Sequence, residues 1–230
     1  LRIDYDPEQL REVKRELLAQ NGLNEAPASY VYVQVTRGVA PRTHAFPKEP
    51  TTPTVYGFAN PYSRPDEARW SQGFRAITIP DQRWTRIDIK AIALLPNVLA
   101  QQAAVDAGVD DAIYVKDGMA MEGAHNNLFA VFNGVVTTAP KTNYILHGIT
   151  RDVVLELANG LDLPVEERSI PVSELYEADE VFFTGTTTEV RPTVEVDGRT
   201  VGDGTVGPVA RKLFEAFIDA VNPVSRQPVT

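Results

Sequence analysis

Residues 112–140, AIYVKDGMAMEGAHNNLFAVFNGVVTTAP, decide the class of fold. The stretch reads as a strand meander, with Asp117-Gly118 and Asn133-Gly134 at the reversals. Such pairs accept the positive φ angles of tight hairpins, so antiparallel pairing is expected. A second antiparallel set follows at residues 180–201, EVFFTGTTTEVRPTVEVDGRTV. Upstream, YVYVQVTRG (30–38), TVYGFA (54–59), FRAITIP (74–80) and WTRIDIK (84–90) are also expected strands. Helices are expected at residues 6–21, 94–108, 150–161 and 207–221. In the first, Asp6 caps, Pro7 suits the opening position, Gly22 ends it, and Leu10, Val13 and Leu17 form one buried stripe. Strands joined by hairpins dominate, which predicts an α+β fold and not a doubly wound parallel sheet. The polar, proline-containing residues 48–54 set an expected boundary, with residues 1–50 the remainder of a small domain and 51–230 a large one.

Composition excludes several classes of function. A chain of 230 residues with 43% hydrophobic and 23% charged residues can bury a sizeable core. Cysteine is absent, which removes disulfides, thiolate nucleophiles and zinc–thiolate sites; no metal is expected, and a cytoplasmic setting suits the composition. The net charge of −9 argues against a nucleic-acid partner, which needs a basic face. No apolar run approaches the ~20 residues of a membrane span. The opening LRIDYDPEQL starts at Leu1 and reads as the interior of something longer.

Several residues have a chemical reading beside a plain one. Lys90 ends RIDIK, where a desolvated amine is a Schiff-base nucleophile and a solvated one is only a strand end. Gly148-Ile149-Thr150 opens a helix, so its N–H groups and the Thr150 hydroxyl suit an anion, although Thr150 also serves as an ordinary cap. Thr186 and Thr187, after Gly185, can line a polar cleft or simply occupy a strand. Glu122, if buried, can pair with a protonated pyridine nitrogen; otherwise it is a turn residue facing water. Arg42 and His44 sit between Pro41 and Pro47, so a stiff loop can aim both at one carboxylate or leave both on the surface.

VTRGVAPRTHAFP, DIKAIALLPNVLAQQ, MEGAHNNLF, LHGITRDVV and FFTGTTTEV occur in this order between Val35 and about Val190. As a series they resemble the fold-type IV enzymes of pyridoxal phosphate (PLP): D-amino-acid and branched-chain aminotransferases and aminodeoxychorismate lyases. The resemblance implies a small α/β domain, N-terminally incomplete here, and a larger antiparallel, barrel-like domain. It makes Lys90 the Schiff-base lysine and proton carrier, and Glu122 the partner of the ring nitrogen. Asn127, Ile149, Thr150, Thr186 and Thr187 join them as cofactor ligands. Arg42 and His44 match the pair that clamps the substrate α-carboxylate from a neighbouring subunit in bacterial D-amino-acid aminotransferases. Transamination between a D-amino acid and a 2-oxo acid by a homodimer is therefore expected. The alternatives are a branched-chain or lyase activity on the same fold, or a non-catalytic homologue. Two departures stand out. Ala124-His125-Asn126 replaces the small residues and serines common after the glutamate, and the family's N-terminal segment, with its phosphate-binding arginine, has no counterpart here.

Overall fold

In the computed structural model, residues 3–221 are described. The chain divides into two compact units, Leu1–Arg64 and Pro65–Thr230. In the first, α1 (Gln9–Gln20) precedes β1 (Ser29–Thr36) and β2 (Thr54–Pro61). The two strands pair antiparallel along their whole length, from Ser29 opposite Pro61 to Thr36 opposite Thr54. That pairing puts the division after β2, where the sequence suggests 50/51. The expected helix starts later than Asp6; Asp6 instead accepts the Glu8 N–H at 3.0 Å in the turn before it.

The second unit contains α2 (Glu67–Gln72), β3 (Phe74–Pro80), α3 (Leu95–Asp106), β4 (Asp111–Lys116), β5 (Met119–Gly123) and β6 (Asn127–Phe132). These are followed by β7 (Val135–Thr138), α4 (Ile149–Gly160), β8 (Val165–Glu167), β9 (Ile170–Pro171) and α5 (Val172–Leu175). The last elements are β10 (Glu180–Gly185), β11 (Glu189–Val196), β12 (Arg199–Thr200) and α6 (Pro208–Val221). Six strands close on themselves in the order β5-β6-β10-β11-β3-β4 and back to β5. The pairings are antiparallel except where β3 lies parallel to β11 and β4. Closure removes the exposed edges a sheet of this size would carry.

Both faces of the barrel are buried, which explains the continuous apolar runs in β6 and β10. Leu128, Ala130, Val181 and Phe183 point inward with Ala76, Ile113, Ala120 and Val196. Phe129, Val131 and Phe182 point outward beneath α4 and α6, against Val154, Ala158, Ala210 and Leu213. Ala100 and Ala104 of α3 cover Ala112, Tyr114 and Ala124 on another side. The expected turns form: Asp117 and Gly118 have φ of 51° and 78°, Asn133 and Gly134 of 50° and 79°.

One expected strand does not form. WTRIDIK is irregular from residue 84 to residue 90. Its backbone bonds go to a loop instead of a neighbouring strand: the Ile87 N–H donates to the Asn143 carbonyl at 2.9 Å. Arg86 and Asp88 are joined in a local ion pair at 2.8 Å. An alternating pattern specifies a strand only if a strand is beside it, and among the described residues none is.

Candidate active site

The site is assembled around Glu122 by an irregularity in β5. Ile113 pairs with Gly123 but Val115 pairs with Ala120, so Met121 and Glu122 together face the single residue Tyr114. This is the count of a β-bulge, which re-aims side chains. The alternation set by inward-facing Ala120 would otherwise carry Glu122 into the barrel. The bulge delivers it to the outer face, where it is 5% exposed. Arg83 donates to its Oε1 at 2.5 Å, while Asn127 Nδ2 and the Leu146 N–H donate to its Oε2, each at 3.0 Å. An ionised carboxylate has about four lone-pair positions, so one remains for a further donor.

Burial pushes the Glu122 carboxyl up to about 7, against the pull of the Arg83 guanidinium and the Leu146 N–H. Arg83 is buried too, and burial opposes its charge. The hydrogen bonds and charges of Asp81 and Glu122 outweigh that and raise it above its ordinary value. Its fork holds Asp81 at 2.8 Å, and its guanidinium lies 3.8 Å from the centre of the Tyr114 ring. Arg83 is therefore the cation fixing the acid from behind.

Asn127 links the acid to the start of α4. Its Nδ2 also donates to the Leu146 carbonyl at 2.8 Å, and a β-carbon on Gly148 would come within 2.1 Å of its Oδ1. Gly148 is here because the backbone passes so close. It is the N-cap of the twelve-residue helix α4 and brings no side-chain cap to the first N–H groups, the kind of helix opening that suits an anion. Ile149 is exposed and Thr150 half-buried at that opening. Arg151, fully buried, anchors the turn through the Ala139 carbonyl at 2.8 Å and through Glu167.

The β10–β11 turn contributes residues 186–188, with Thr186 and Thr187 exposed. It leans on the β5–β6 turn: a β-carbon on Gly185 would lie 3.4 Å from Asn126 Cβ. Asn126 in turn donates to Asp111 at 2.6 Å, and Arg191 pairs with the same carboxylate. His125 is exposed at the tip of the β5–β6 turn. Lys90 is exposed in the irregular segment, two residues after Asp88, so this chain by itself does not desolvate the amine as the Schiff-base reading expects. Arg42 and His44 are both exposed in the β1–β2 loop of the first unit. That loop closes on its own base: Thr51 Oγ1 donates to the Arg37 carbonyl at 2.6 Å.

Glu122 and Asn127 are thus bonded to each other and to Leu146, two residues before Gly148, and the turn carrying Thr186 lies against the β5–β6 turn. Sequence reasoning missed Arg83, Asn143, Asp111 and Arg191. Only Asp81-x-Arg83 left a trace, since two opposite charges that close can pair; the partners of the other three lie far along the chain.

Residues 1–196 match the family described as Amino-transferase class IV. The D-alanine aminotransferase of Staphylococcus haemolyticus is 43% identical over 217 residues, covering 94% of this chain and 76% of that protein. That of Bacillus licheniformis is 39% identical over 210 residues, 91% of this chain and 74% of that one. Among solved structures, a T.th. branched-chain amino acid aminotransferase with pyridoxamine 5'-phosphate aligns with a TM-score of 0.83 at 32% identity, over 98% of this chain and 74% of that chain. The branched-chain amino acid aminotransferase from Escherichia coli aligns with a TM-score of 0.79 at 29% identity, over 99% and 74%.

Proposed function

The chain belongs to the class IV amino-transferase family, and we propose that it is a PLP-dependent transaminase working between a D-amino acid, such as D-alanine, and a 2-oxo acid, such as 2-oxoglutarate. The identity to D-alanine aminotransferases over more than nine-tenths of the chain supports the substrate class. The observation that carries the reading is Glu122. It is a buried acid with one lone pair open, tied by Asn127 and Leu146 to the residues that open an uncapped helix. An acid and an anion cradle held at fixed separation suit a ligand with a protonatable ring nitrogen and a phosphate.

The residues present fit PLP. When bound, it supplies an aldehyde carbon that an amine joins with loss of water, and a ring that withdraws electrons from the substrate. Lys90 would provide that amine, and its Nζ would serve as the base for the substrate Cα proton. Glu122 holds the proton on the ring nitrogen, while Arg83 fixes the acid. The Ile149 and Thr150 N–H groups and the Thr150 hydroxyl bind phosphate, with Thr186 and Thr187 closing the cradle. Arg42 and His44 of the neighbouring subunit bind the substrate α-carboxylate, the guanidinium in bidentate fashion. Orientation by such groups contributes ~7–11 kcal/mol to lowering a barrier.

The working unit in this reading is a homodimer. Leu95, Val98, Leu99 and Val105 form an apolar stripe on α3, each 58–69% exposed, on the side away from Ala100 and Ala104. Large apolar stripes of this kind mark interaction surfaces. Among the described residues no helix is long and apolar enough to cross a membrane, and the cysteine-free composition suits the cytoplasm.

Lys90→Ala should lose the visible absorbance of lysine-bound PLP; a variant that keeps it removes Lys90 from this role. Parallel assays with D-alanine and L-leucine, each with 2-oxoglutarate, separate the D-amino-acid reading from a branched-chain one, the activity in the names of the solved relatives. Faster turnover of L-leucine overturns the former.

A further inference from the structure

Lys90 stands in a segment without regular structure, so something other than a strand or helix must fix its backbone. The segment has two anchors. At its start Arg83 is held by Asp81 and Glu122. In its middle both anchoring bonds go to one residue: the Asn143 carbonyl accepts the Ile87 N–H at 2.9 Å, and Asn143 Nδ2 donates to the Thr85 carbonyl at 2.6 Å. The pair imitates one rung of a parallel ladder, in which one residue bonds the carbonyl before and the N–H after the residue opposite it, with the Asn143 side-chain amide standing in for a backbone N–H.

The loop bearing Asn143 is itself tied down. The Tyr144 N–H donates to Thr142 Oγ1 at 3.2 Å, and His147 Nε2 lies 2.9 Å from the Thr142 carbonyl. Three residues past Asn143, Leu146 bonds Glu122 through its N–H and Asn127 through its carbonyl. One short loop therefore touches the lysine segment, the buried acid and the start of α4. We propose that Asn143 is a positioning residue: by bracketing residues 85–87 it sets the place of Lys90 relative to Glu122 and the anion cradle. The proposal rests on the reading of Lys90 as the cofactor lysine.

The Nδ2 bond is neutral and partly solvated, so its loss changes an equilibrium by about five- to tenfold. In Asn143→Ala the backbone amide of Ile87 in the PLP-free protein should exchange about that much faster, while the amide of Ile113 in the barrel keeps its wild-type rate. PLP release, followed by absorbance, should quicken by a similar factor. Asn143→Asp adds a signature that mere destabilisation lacks. An ionised carboxylate faces the Thr85 carbonyl and repels it, whereas the protonated acid donates to it. Relative to Asn143→Ala, release from Asn143→Asp should therefore slow as pH falls through the carboxylate range. Equal Ile87 exchange and equal PLP release in wild type and Asn143→Ala would overturn the proposal. Borohydride reduction and peptide mass mapping of the wild type test the other reading: a PLP tag found elsewhere than Lys90 overturns the cofactor assignment. The Ile87 exchange in PLP-free protein judges the bracket without it.

Discussion

At the scale of single residues, the chemistry of this site depends on how three donors share one carboxylate. Glu122 was readable as an acid in a promising motif, but whether it was buried or faced water was not. Its carboxyl titrates near 7 in the folded chain against 4.5 ordinarily, so folding favours its protonated form. That contribution to stability is complete below about 4.5 and is lost as pH rises through 7. In PLP-free protein, wild type should therefore lose stability relative to Glu122→Gln between pH 4.5 and 8, by roughly 3 kcal/mol at ~1.4 kcal/mol per pKa unit. Denaturant melts at several pH values measure it, and parallel curves for the two proteins would exclude the effect. Gly148 makes the second prediction at this scale. A methyl group there would come 2.1 Å from Asn127 Oδ1 at an ordinary φ of −68°, so contact and not backbone strain opposes it. Gly148→Ala should force Asn127 off Glu122 or off Leu146 and weaken PLP binding about tenfold or more, the loss of one buried hydrogen bond. Titration followed by absorbance gives the affinity, and wild-type binding would show that the loop can yield.

At the scale of elements, turns were legible and connections to them were not. The two Asx-Gly hairpins form because their φ requirement is local and only a few residues satisfy it cheaply. Asp197 and Gly198 make a third, with φ of 52° and 72°. The bulge in β5 carries no such mark, since it is defined by β4 opposite it. The β5–β6 turn, where Ala124-His125-Asn126 departs from the family pattern, is held by Asp111, which is 1% exposed and shared by Asn126 and Arg191. Removing one partner of a buried ion pair leaves an uncompensated charge and costs ~3–5 kcal/mol. Arg191→Met should lower the free energy of unfolding by that amount, read from denaturant melts. The double variant Arg191→Met with Asp111→Asn should recover a large part, since no net charge is then stranded. If the double variant is no better than the single one, the pair is not the reason for the loss.

For the whole molecule, the apolar stripe of α3 is the feature a lone chain leaves unexplained. If it is the contact between two copies, Leu99→Glu should shift the protein from dimer to monomer in sedimentation at micromolar concentration while leaving circular dichroism unchanged. A wild-type monomer would remove the stripe from the argument. The short α2 and α5 were not legible in the sequence, whereas the α+β class, the two Asx-Gly hairpins, the four longer helices and the motif series were legible in it alone. Each depends on local backbone preference or on periodicity, which a few neighbouring residues settle. WTRIDIK shows the limit, because its alternation is that of a strand and its surroundings are not. Barrel closure, the outward turn of Glu122, the Arg83 anchor and the Asn143 bracket were decided only by tertiary structure. Each depends on which strand or loop comes to lie beside another, from the neighbouring β4 for Glu122 to residues tens of positions away for Asn143, and a side chain's burial and partners exist only once that chain has arrived.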